Sequence, residues 1–320
     1  MDRRSILIGA ATMAGGSFLP ALAQESARLY VGFSAGGATD TFARIFAPGL
    51  SAELHRAVVV ENLTGASGAM AIRPVERAAP SSSTYMLYPT MTLLGQVLAN
   101  QEPDLTKVTP ITLLYEQYSV VAVNPQVAGF ENVHNLKDLV ALAKNKPGQI
   151  NYAILGIGST GHLTMEWFSD LAGIKMQPVA YKGGAPAVTD VLGGHVPLLV
   201  LDSTVVAPHI QAGKLRPIAV NYSERMPGFS EVPTMAEQGF KEVSALPWVV
   251  LAGPPNMPAA DANAVAEAVR RAYAKPDLIE AMKQQNIVPK TSSPQQAAQL
   301  MRSDLAKWKK IIQEKGIKGA

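Results

Sequence analysis

The chain has no cysteine among its 320 residues. Without a thiol it cannot form a disulfide, a thiolate zinc site, an iron–sulfur cluster or a cysteine nucleophile. Metal-binding histidine pairs are missing too. The five histidines form neither H-x-x-x-H nor H-E-x-x-H, and they are His55, His134, His162, His195 and His209. The sequence therefore predicts no metal site and no cofactor.

Charge is sparse and dispersed. Lys plus Arg total 28 and Asp plus Glu total 25, which gives a net charge of +3. No block of basic residues and no basic stripe with interleaved aromatic residues occurs, so we expect no nucleic-acid partner. Aromatic residues are only 6%, whereas hydrophobic residues reach 48%. We therefore expect cores built mainly from Ala, Val, Leu and Ile, and the chain length suggests two domains.

Long apolar runs are missing except at the N-terminus. There Arg3-Arg4 precedes an apolar stretch over 6–22, and Ala21-Leu22-Ala23 supplies a small-x-small cleavage site. This pattern is typical of a secretory signal peptide, residues 1–23. The arginine pair also matches a twin-arginine signal, so general secretory and twin-arginine export both stay open. We expect a periplasmic protein whose mature chain does not span a membrane, because no later run reaches about 18 apolar residues.

Beyond the signal, short apolar strands alternate with helices. Strands are predicted at 28–33, 57–61, 85–88, 118–124, 150–155, 178–181, 196–201, 215–220 and 248–252. Helices are predicted after the first two strands, at 136–144, after 161 and 183, after 203, and at 261–274, 276–285 and 295–314. The alternation predicts an α/β fold with mainly parallel sheets flanked by helices. Ser203 is a candidate helix cap, and the helical spacing of Trp167 and Phe168 places them in a core.

Three glycine-rich turns join a strand to a helix, at 36–40, 156–162 and 182–185. At the carboxyl edge of a parallel sheet, helix N-termini offer free N–H groups to an anion, and glycine allows close approach. Polar side chains accompany them at Thr39, Ser159, Thr160, His162 and Tyr181. No phosphate-loop or dinucleotide fingerprint is present. The three turns together favour a cleft for a small anion over three unrelated tight turns.

One segment suggests a different class of function. Gly32-Phe33-Ser34-Ala35-Gly36 satisfies the G-x-S-x-G pattern of a nucleophile elbow, and Asp202 and His209 follow in the order of a hydrolase triad. An exported serine hydrolase is therefore the alternative. Against it, the elbow lies on the first strand of the mature chain, and no oxyanion segment precedes it. Asp202, at a strand end, has three open roles: orienting a loop, binding a ligand amine or water, or capping a helix.

The order of motifs resembles the receptor family of tripartite tricarboxylate transporters, the Bug family. Six segments carry the resemblance, and they are Phe33–Asp40, Val58–Asn62, Gly158–Leu163, Tyr181–Ala187, Pro208–Leu215 and Val232–Glu237. They extend over essentially the whole mature chain. Departures from the family pattern include the loss of prolines before Gly36, Ile157 where Asn is common, and Thr90-Met91 in the third-strand segment.

The resemblance implies a two-lobed periplasmic-binding-protein fold of the Venus-flytrap type, type II-like, with the ligand cleft between the lobes. Lobe one is expected at 27–122 plus 247–320, and lobe two at 123–246. It also implies a monomeric receptor, not an enzyme, that hands its ligand to integral-membrane permease subunits. A third reading, the effector domain of a transcription regulator, is disfavoured because an export signal stands where a DNA-binding motif is needed.

In the family, one ligand carboxylate lies between the first and second glycine-rich turns. Carried over, this gives a site without a dense Arg/Lys cluster, so we expect a dicarboxylate or an aromatic carboxylate rather than citrate. The candidate ligand-binding residues are Ser34, Gly36, Gly37, Ala38, Thr39, Asp40, Thr90, Gly158, Ser159, Thr160, His162, Tyr181 and Asp202.

Overall fold

The structure is a computed structural model that describes residues 26–181, 183–243 and 246–316. The expected signal peptide, 1–23, and Lys182 lie outside these residues. The strands are β1 (Ala27–Val31), β2 (Val58–Asn62), β3 (Thr84–Pro89), β4 (Thr109–Gln117), β5 (Ser119–Val123), β6 (Asn151–Ile154), β7 (Gln177–Ala180), β8 (Leu198–Asp202), β9 (Arg216–Asn221), β10 (Trp248–Gly253) and β11 (Ile287–Pro289). The α-helices are α1 (Ala38–Leu54), α2 (Ile72–Glu76), α3 (Thr90–Leu98), α4 (Leu136–Asn145), α5 (Thr160–Ala172), α6 (Gly184–Leu192), α7 (Ser203–Gln211), α8 (Ala259–Tyr273), α9 (Pro276–Gln284) and α10 (Pro294–Lys315).

The strands form two sheets. The first has the order β11-β4-β10-β3-β1-β2, and the second has the order β7-β6-β8-β5-β9. Both are mixed rather than mainly parallel. In the first sheet β1, β2 and β3 are parallel, whereas β10, β4 and β11 add antiparallel pairings. In the second, β5 is antiparallel to β8 and β9. The first strand after each passage between the sheets, β5 or β10, runs opposite to the parallel strands of its sheet, whereas β4 runs in the same direction as β1, β2 and β3.

The chain passes from the first sheet to the second at Tyr118, and it returns between β9 and β10. The expected boundary between 122 and 123 is therefore misplaced, because it cuts β5, a strand whose partners all belong to the second sheet. The return passage lies between the end of β9 at Asn221 and the start of β10 at Trp248, and the expected boundary at 247 stays a prediction.

Alternating side chains pack on both faces of each sheet. In the first, Leu29 and Leu87 face α1, α8 and α9, while Tyr30 and Met86 face α2, α3 and α10. In the second, one face packs on α4 and α5 and the other on α6 and α7. Phe168 is fully buried in the core of the second sheet, as predicted.

A smaller apolar cluster connects elements of the two sheets. It combines Leu94 and Leu98 of α3, Leu163 of α5, and Trp308 and Ile311 of α10. Trp167 packs edge-on against Trp308, with ring centroids 6.0 Å apart, but it is only partly buried and lies at the margin of the core rather than inside it.

Four features were missed or misassigned from the sequence. The strands β4 and β11 and the helix α3 were not predicted. In addition, Ser203 is not a cap: it is the first residue of α7, and Asp202 occupies the N-cap position. Because β4 is buried almost throughout and contains Pro110, it lacks the alternation that marks a half-exposed strand.

Within the described residues, no helix combines the length and the apolar composition needed to cross a bilayer.

Candidate functional site

The cleft-facing ends of the two sheets enclose a cavity of about 390 Å³. Its lining from the first sheet and adjoining turns comprises Phe33, Ser34, Gly37, Ala38, Thr39, Pro89, Thr90, Met91, Tyr115, Gln117, Pro247, Trp248 and Val249. Its lining from the second comprises Leu155, Thr160, Gly183, Gly184, Asp202 and Val205. A smaller cavity of about 160 Å³ shares Ala38, Gln117 and Val205 with it and is also lined by Gly36.

Helix N-termini converge on the main cavity. The helices α1, α3, α5, α6 and α7 all begin at its wall, with Ala38, Thr90, Thr160, Gly184 and the N-cap Asp202 in the lining. The N-caps of α1, α3 and α6 are glycine or proline and offer no side-chain acceptor to the first turn. Asp202, the N-cap of α7, accepts no hydrogen bond from its first turn, so only α5 has a side-chain cap. First-turn N–H groups have no partner inside their own helix, and the helix dipole adds positive potential there. Several helix ends thus favour an anion at the same place.

No Lys or Arg lines this cavity among the residues that the structure describes. Its ionisable lining residues there are Asp202 and Tyr115. Among the described residues, the groups that attract an anion here are backbone N–H groups, hydroxyls and helix dipoles. The expectation of a neutral, amide-rich site stays a prediction, because Lys182, which precedes Gly183 in the lining, lies outside the described residues.

The first glycine-rich turn is held from behind by Asp40. Its carboxylate accepts hydrogen bonds from the backbone N–H of Gly36 (2.8 Å), from Arg44 Nε (2.9 Å) and from Asn62 Nδ2 (2.9 Å). The bond from Arg44 is the main cause that lowers the pKa of Asp40 to about 2. Asp40 is buried and is not part of the cavity lining. It was a candidate ligand-binding residue, but its side chain is used to position the turn.

The second turn divides its residues between two roles. Thr160 lines the cavity, whereas Gly158, Ser159 and His162 do not. The Ser159 hydroxyl accepts from the N–H of His162 (3.3 Å), and His162 Nδ1 accepts from the N–H of Gly158 (3.0 Å). Burial lowers the pKa of His162, which favours the neutral ring that this acceptor role requires. Only Thr160 among these four candidates is placed for direct contact.

The third turn contributes backbone rather than a side chain. Gly183 and Gly184 line the cavity, but Tyr181 does not, because its hydroxyl donates a hydrogen bond to Asp190. Burial, with the neighbouring carboxylate, raises the pKa of Tyr181 to about 12. A side chain at Gly184 would meet Val205 of α7, since an added Cβ would stand 2.6 Å from Val205 Cγ1. Glycine is thus required here for close packing of α6 on α7.

Thr90 joins the lining to the return passage. Its hydroxyl accepts from the N–H of Trp248 (2.9 Å) and donates to the carbonyl of the same residue (3.1 Å). These two bonds fix the N-terminus of α3 against the first residue of β10. Thr90 therefore forms part of the cavity wall, while its hydroxyl is hydrogen-bonded to the backbone of Trp248.

Several lining residues were not found from the sequence. Tyr115 and Gln117 lie at the end of β4, and Trp248 and Val249 lie at the start of β10. No local motif marks them. They reach the cavity because each stands at the end of a strand next to a passage between the sheets, and β4, which carries the first pair, was not predicted. Met91, one of the departures from the family pattern, also lines the cavity.

The hydrolase alternative lacks a base. Ser34 lines the cavity, but no histidine does among the described residues. His209 lies in the last turn of α7, at the opposite end from Asp202. The three residues of the supposed triad are therefore not assembled. The described residues also contain no group of three His, Asp or Glu side chains placed to hold a metal ion.

Two mixed α/β sheets with an anion-favouring cavity between their strand ends define a two-lobed solute-binding protein of the periplasmic-binding-protein class. Comparison with known proteins specifies it further. Residues 42–317 match the profile described as tripartite tricarboxylate transporter family receptor. The chain belongs to this family, whose members are periplasmic solute receptors.

Similarity to individual proteins supports the same family assignment. The chain is 30% identical over 295 residues to protein BugT of Bordetella pertussis, which covers 91% of this chain and 89% of BugT. A structure described as a periplasmic transporter is 30% identical, covers 92% of this chain and 98% of its own, and has a TM-score of 0.79. The R. palustris protein Rpa4515, solved with adipate, is 26% identical, with a TM-score of 0.76 and coverage of 92% and 98%.

Proposed function

We propose that this protein is an extracytoplasmic receptor that binds one small organic carboxylate in the main cavity and delivers it to membrane permease subunits. Delivery to a permease is inferred from the transporter family. A carboxylate ligand is supported by the relative Rpa4515, which was solved with adipate. The absence of an assembled catalytic set around Ser34 supports a binding protein rather than an enzyme.

One observation carries the proposal: five helices begin at the wall of one cavity that no described Lys or Arg lines. Such a site stabilises a small anion through N–H groups and dipoles. The rest of the wall is apolar, with Phe33, Met91, Leu155 and Trp248. An apolar wall suits a ligand with a hydrocarbon or aromatic body, so a dicarboxylate or an aromatic carboxylate is favoured over citrate.

We also propose that the two sheets belong to two lobes that close on the ligand. With the first passage at Tyr118, lobe one comprises the described residues up to 117 and from 247 onward, and lobe two comprises those between. The protein is proposed to act as a monomer in the periplasm, after export through the signal at 1–23 by the general secretory or the twin-arginine route.

A ligand screen tests the proposal. Purified mature protein is tested by thermal shift against mono-, di-, tri- and aromatic carboxylates, with amino acids and sugars as controls. We expect stabilisation by dicarboxylates or aromatic carboxylates and a 1:1 stoichiometry by calorimetry. A response confined to amino acids or sugars would contradict the proposal.

A further inference from the structure

Two polar side chains that line the main cavity lack a hydrogen-bond partner among the residues that the structure describes. Gln117 is 5% exposed, and its Nε2 is buried without a hydrogen-bond acceptor. Asp202, across the passage between the sheets, accepts no hydrogen bond from the described residues, although it stands at the N-cap of α7. A buried amide donor without an acceptor is unfavourable, so Gln117 calls for a polar partner, and Asp202, which is partly buried, has a carboxyl group available to one. Both line the cavity, where a ligand supplies one.

Nothing described in the surroundings neutralises Asp202. From β4, Tyr115 faces it, and its own pKa is raised by burial and by the charge of Asp202. Three acidic groups on neighbouring elements have partners of their own. Glu116 is bonded by Tyr222 and paired with Lys290, Glu166 is bonded by Tyr152, and Asp190 is bonded by Tyr181. His162 lies 3.8 Å from Glu166. Lys182 lies outside the described residues.

We propose that Asp202 recognises the distal carboxylate of a dicarboxylate ligand and does so as a neutral carboxylic acid, with Gln117 as the second donor. The proximal carboxylate then lies toward Thr160 and the N-terminus of α1. The acid O–H of Asp202 donates to one distal oxygen, and Gln117 Nε2 donates to the other. This assignment rests on the proposed function, because it requires a carboxylate ligand.

The number of negative charges in the cavity supports a neutral Asp202. A dianion beside an ionised Asp202 would place three negative charges in a cavity without a described cation. Two like carboxylates at hydrogen-bond distance share a proton rather than both ionise. Burial raises the pKa of Asp202 to about 6, so the proton is held at modest cost near neutral pH. The proton comes from solvent, and above that pKa each binding event takes up close to one proton.

The consequence is a pH dependence of affinity. Only the protonated fraction of the receptor binds, so above about pH 6 the apparent affinity for a dicarboxylate falls up to tenfold per pH unit. A ligand with a distal ammonium group behaves in the opposite way, since it prefers ionised Asp202. Adipate and 6-aminohexanoate have bodies of equal length and differ at this end, so they form a matched pair of probes.

Calorimetry of the mature protein with adipate, succinate and 6-aminohexanoate tests the assignment between about pH 6.5 and 8.5. Titrations in phosphate and in Tris, which differ in ionisation enthalpy, give the number of protons taken up. For the wild type we expect proton uptake that rises toward one with pH. Asp202→Asn keeps an N–H donor without a charge, so it should bind adipate with no pH slope and no proton uptake. Glu280→Gln removes an exposed carboxyl of α9 and should keep the wild-type slope.

The outcomes separate the two proposals. Adipate or succinate binding without proton uptake by the wild type would overturn the role of Asp202 and leave the carboxylate receptor standing. Preferential binding of 6-aminohexanoate, lost in Asp202→Asn, would also overturn it, because Asp202 would then act as an ionised acceptor. Failure of every carboxylate to bind would overturn the proposed function itself. The proton count on the wild type does not depend on whether any variant folds.

Discussion

Leu98, the last residue of α3, packs on the Cα of Gly158 from the turn before α5. A Cβ on Gly158 would stand 1.7 Å from Leu98 Cδ1, and the backbone at Gly158 has φ of 80°. The contact joins an element of the first sheet to one of the second. It also lies beside Thr160, which lines the cavity. The fit between these two residues therefore connects the packing of the lobes to the proposed anion turn.

Gly158→Ala is expected to weaken ligand binding. A non-glycine residue at positive φ costs about 1 kcal/mol or more, and the new methyl group displaces Leu98. Because the contact joins the two lobes, we expect the closed form to be disfavoured and affinity to fall about tenfold or more. Calorimetry with the best carboxylate from the screen measures the change.

A double-variant cycle separates strain from collision. Leu98→Ala removes the obstructing side chain, so adding it to Gly158→Ala should restore part of the affinity if collision matters. Equal affinity in wild type and Gly158→Ala would show that the contact has no part in closure.

Asp40→Asn should destabilise the protein at neutral pH. The folded-state pKa of Asp40 is lowered from 3.8 to about 2, so its contribution is fully present above the unfolded value. It is lost as pH falls through the folded value. The shift corresponds to about 2 kcal/mol, which we take as the upper limit of the expected loss.

Urea denaturation of both proteins at neutral pH and near pH 3 measures that loss. The difference in unfolding free energy should shrink at the acidic pH. Asp277→Asn is the matched control, because Asp277 is an exposed acid in the first turn of α9. A loss at neutral pH no larger than the control's would contradict the positioning role of Asp40.

Local patterns were sufficient to predict most of the fold and not all of it. The strands β1, β3, β6 and β8 are apolar runs bounded by glycine or proline, and such runs predict buried strands. The segment that contains α3 and β4 was misread because helix and strand are both nearly all apolar there, and periodicity then carries no signal. Mixed sheets were missed because strand direction across a passage between sheets is a tertiary property.

For the site, the sequence was sufficient to locate the glycine-rich turns, but not to tell which side chains face the cavity and which are hydrogen-bonded to neighbours. Ser34, Gly37, Ala38, Thr39, Thr90, Thr160 and Asp202 line the main cavity. Asp40, Ser159, His162 and Tyr181 do not, because each is engaged by a neighbour in three dimensions. Asp40 is an example: Asn62, which bonds it, is 22 residues away in sequence. Polar residue type marks a turn, whereas partner geometry decides which atoms remain for a ligand.

Ser34 should be unreactive toward a fluorophosphonate probe. A serine hydroxyl requires an adjacent base to act as a nucleophile, and no histidine lines this cavity among the described residues. We expect no labelling by mass spectrometry, with a known serine hydrolase as the positive control. Labelling that disappears in Ser34→Ala would reinstate the hydrolase alternative.

Substitutions of Thr160 and Ser159, the neighbouring hydroxyl residues of the second turn, should have different effects: one on ligand affinity, the other on stability. Thr160 lines the cavity at the first position of α5, so its hydroxyl and N–H are placed for a ligand carboxylate. A hydrogen bond to a charged group contributes roughly 1.5–3 kcal/mol, so Thr160→Ala should weaken binding by about 10- to 100-fold. Its melting temperature should change little, because that hydroxyl makes no hydrogen bond to another of the described residues. Ser159 is different, since its hydroxyl accepts from the N–H of His162 as the helix cap. Ser159→Ala should lower the unfolding free energy by about 1 kcal/mol, and Ser159→Gly by only a few tenths of a kcal/mol.

Calorimetry and thermal melting of the Thr160→Ala, Ser159→Ala and Ser159→Gly variants test this division between a binding and a structural hydroxyl. The reverse pattern, with Thr160→Ala unstable and unchanged in affinity, would remove this turn from the ligand site and leave it a purely structural one.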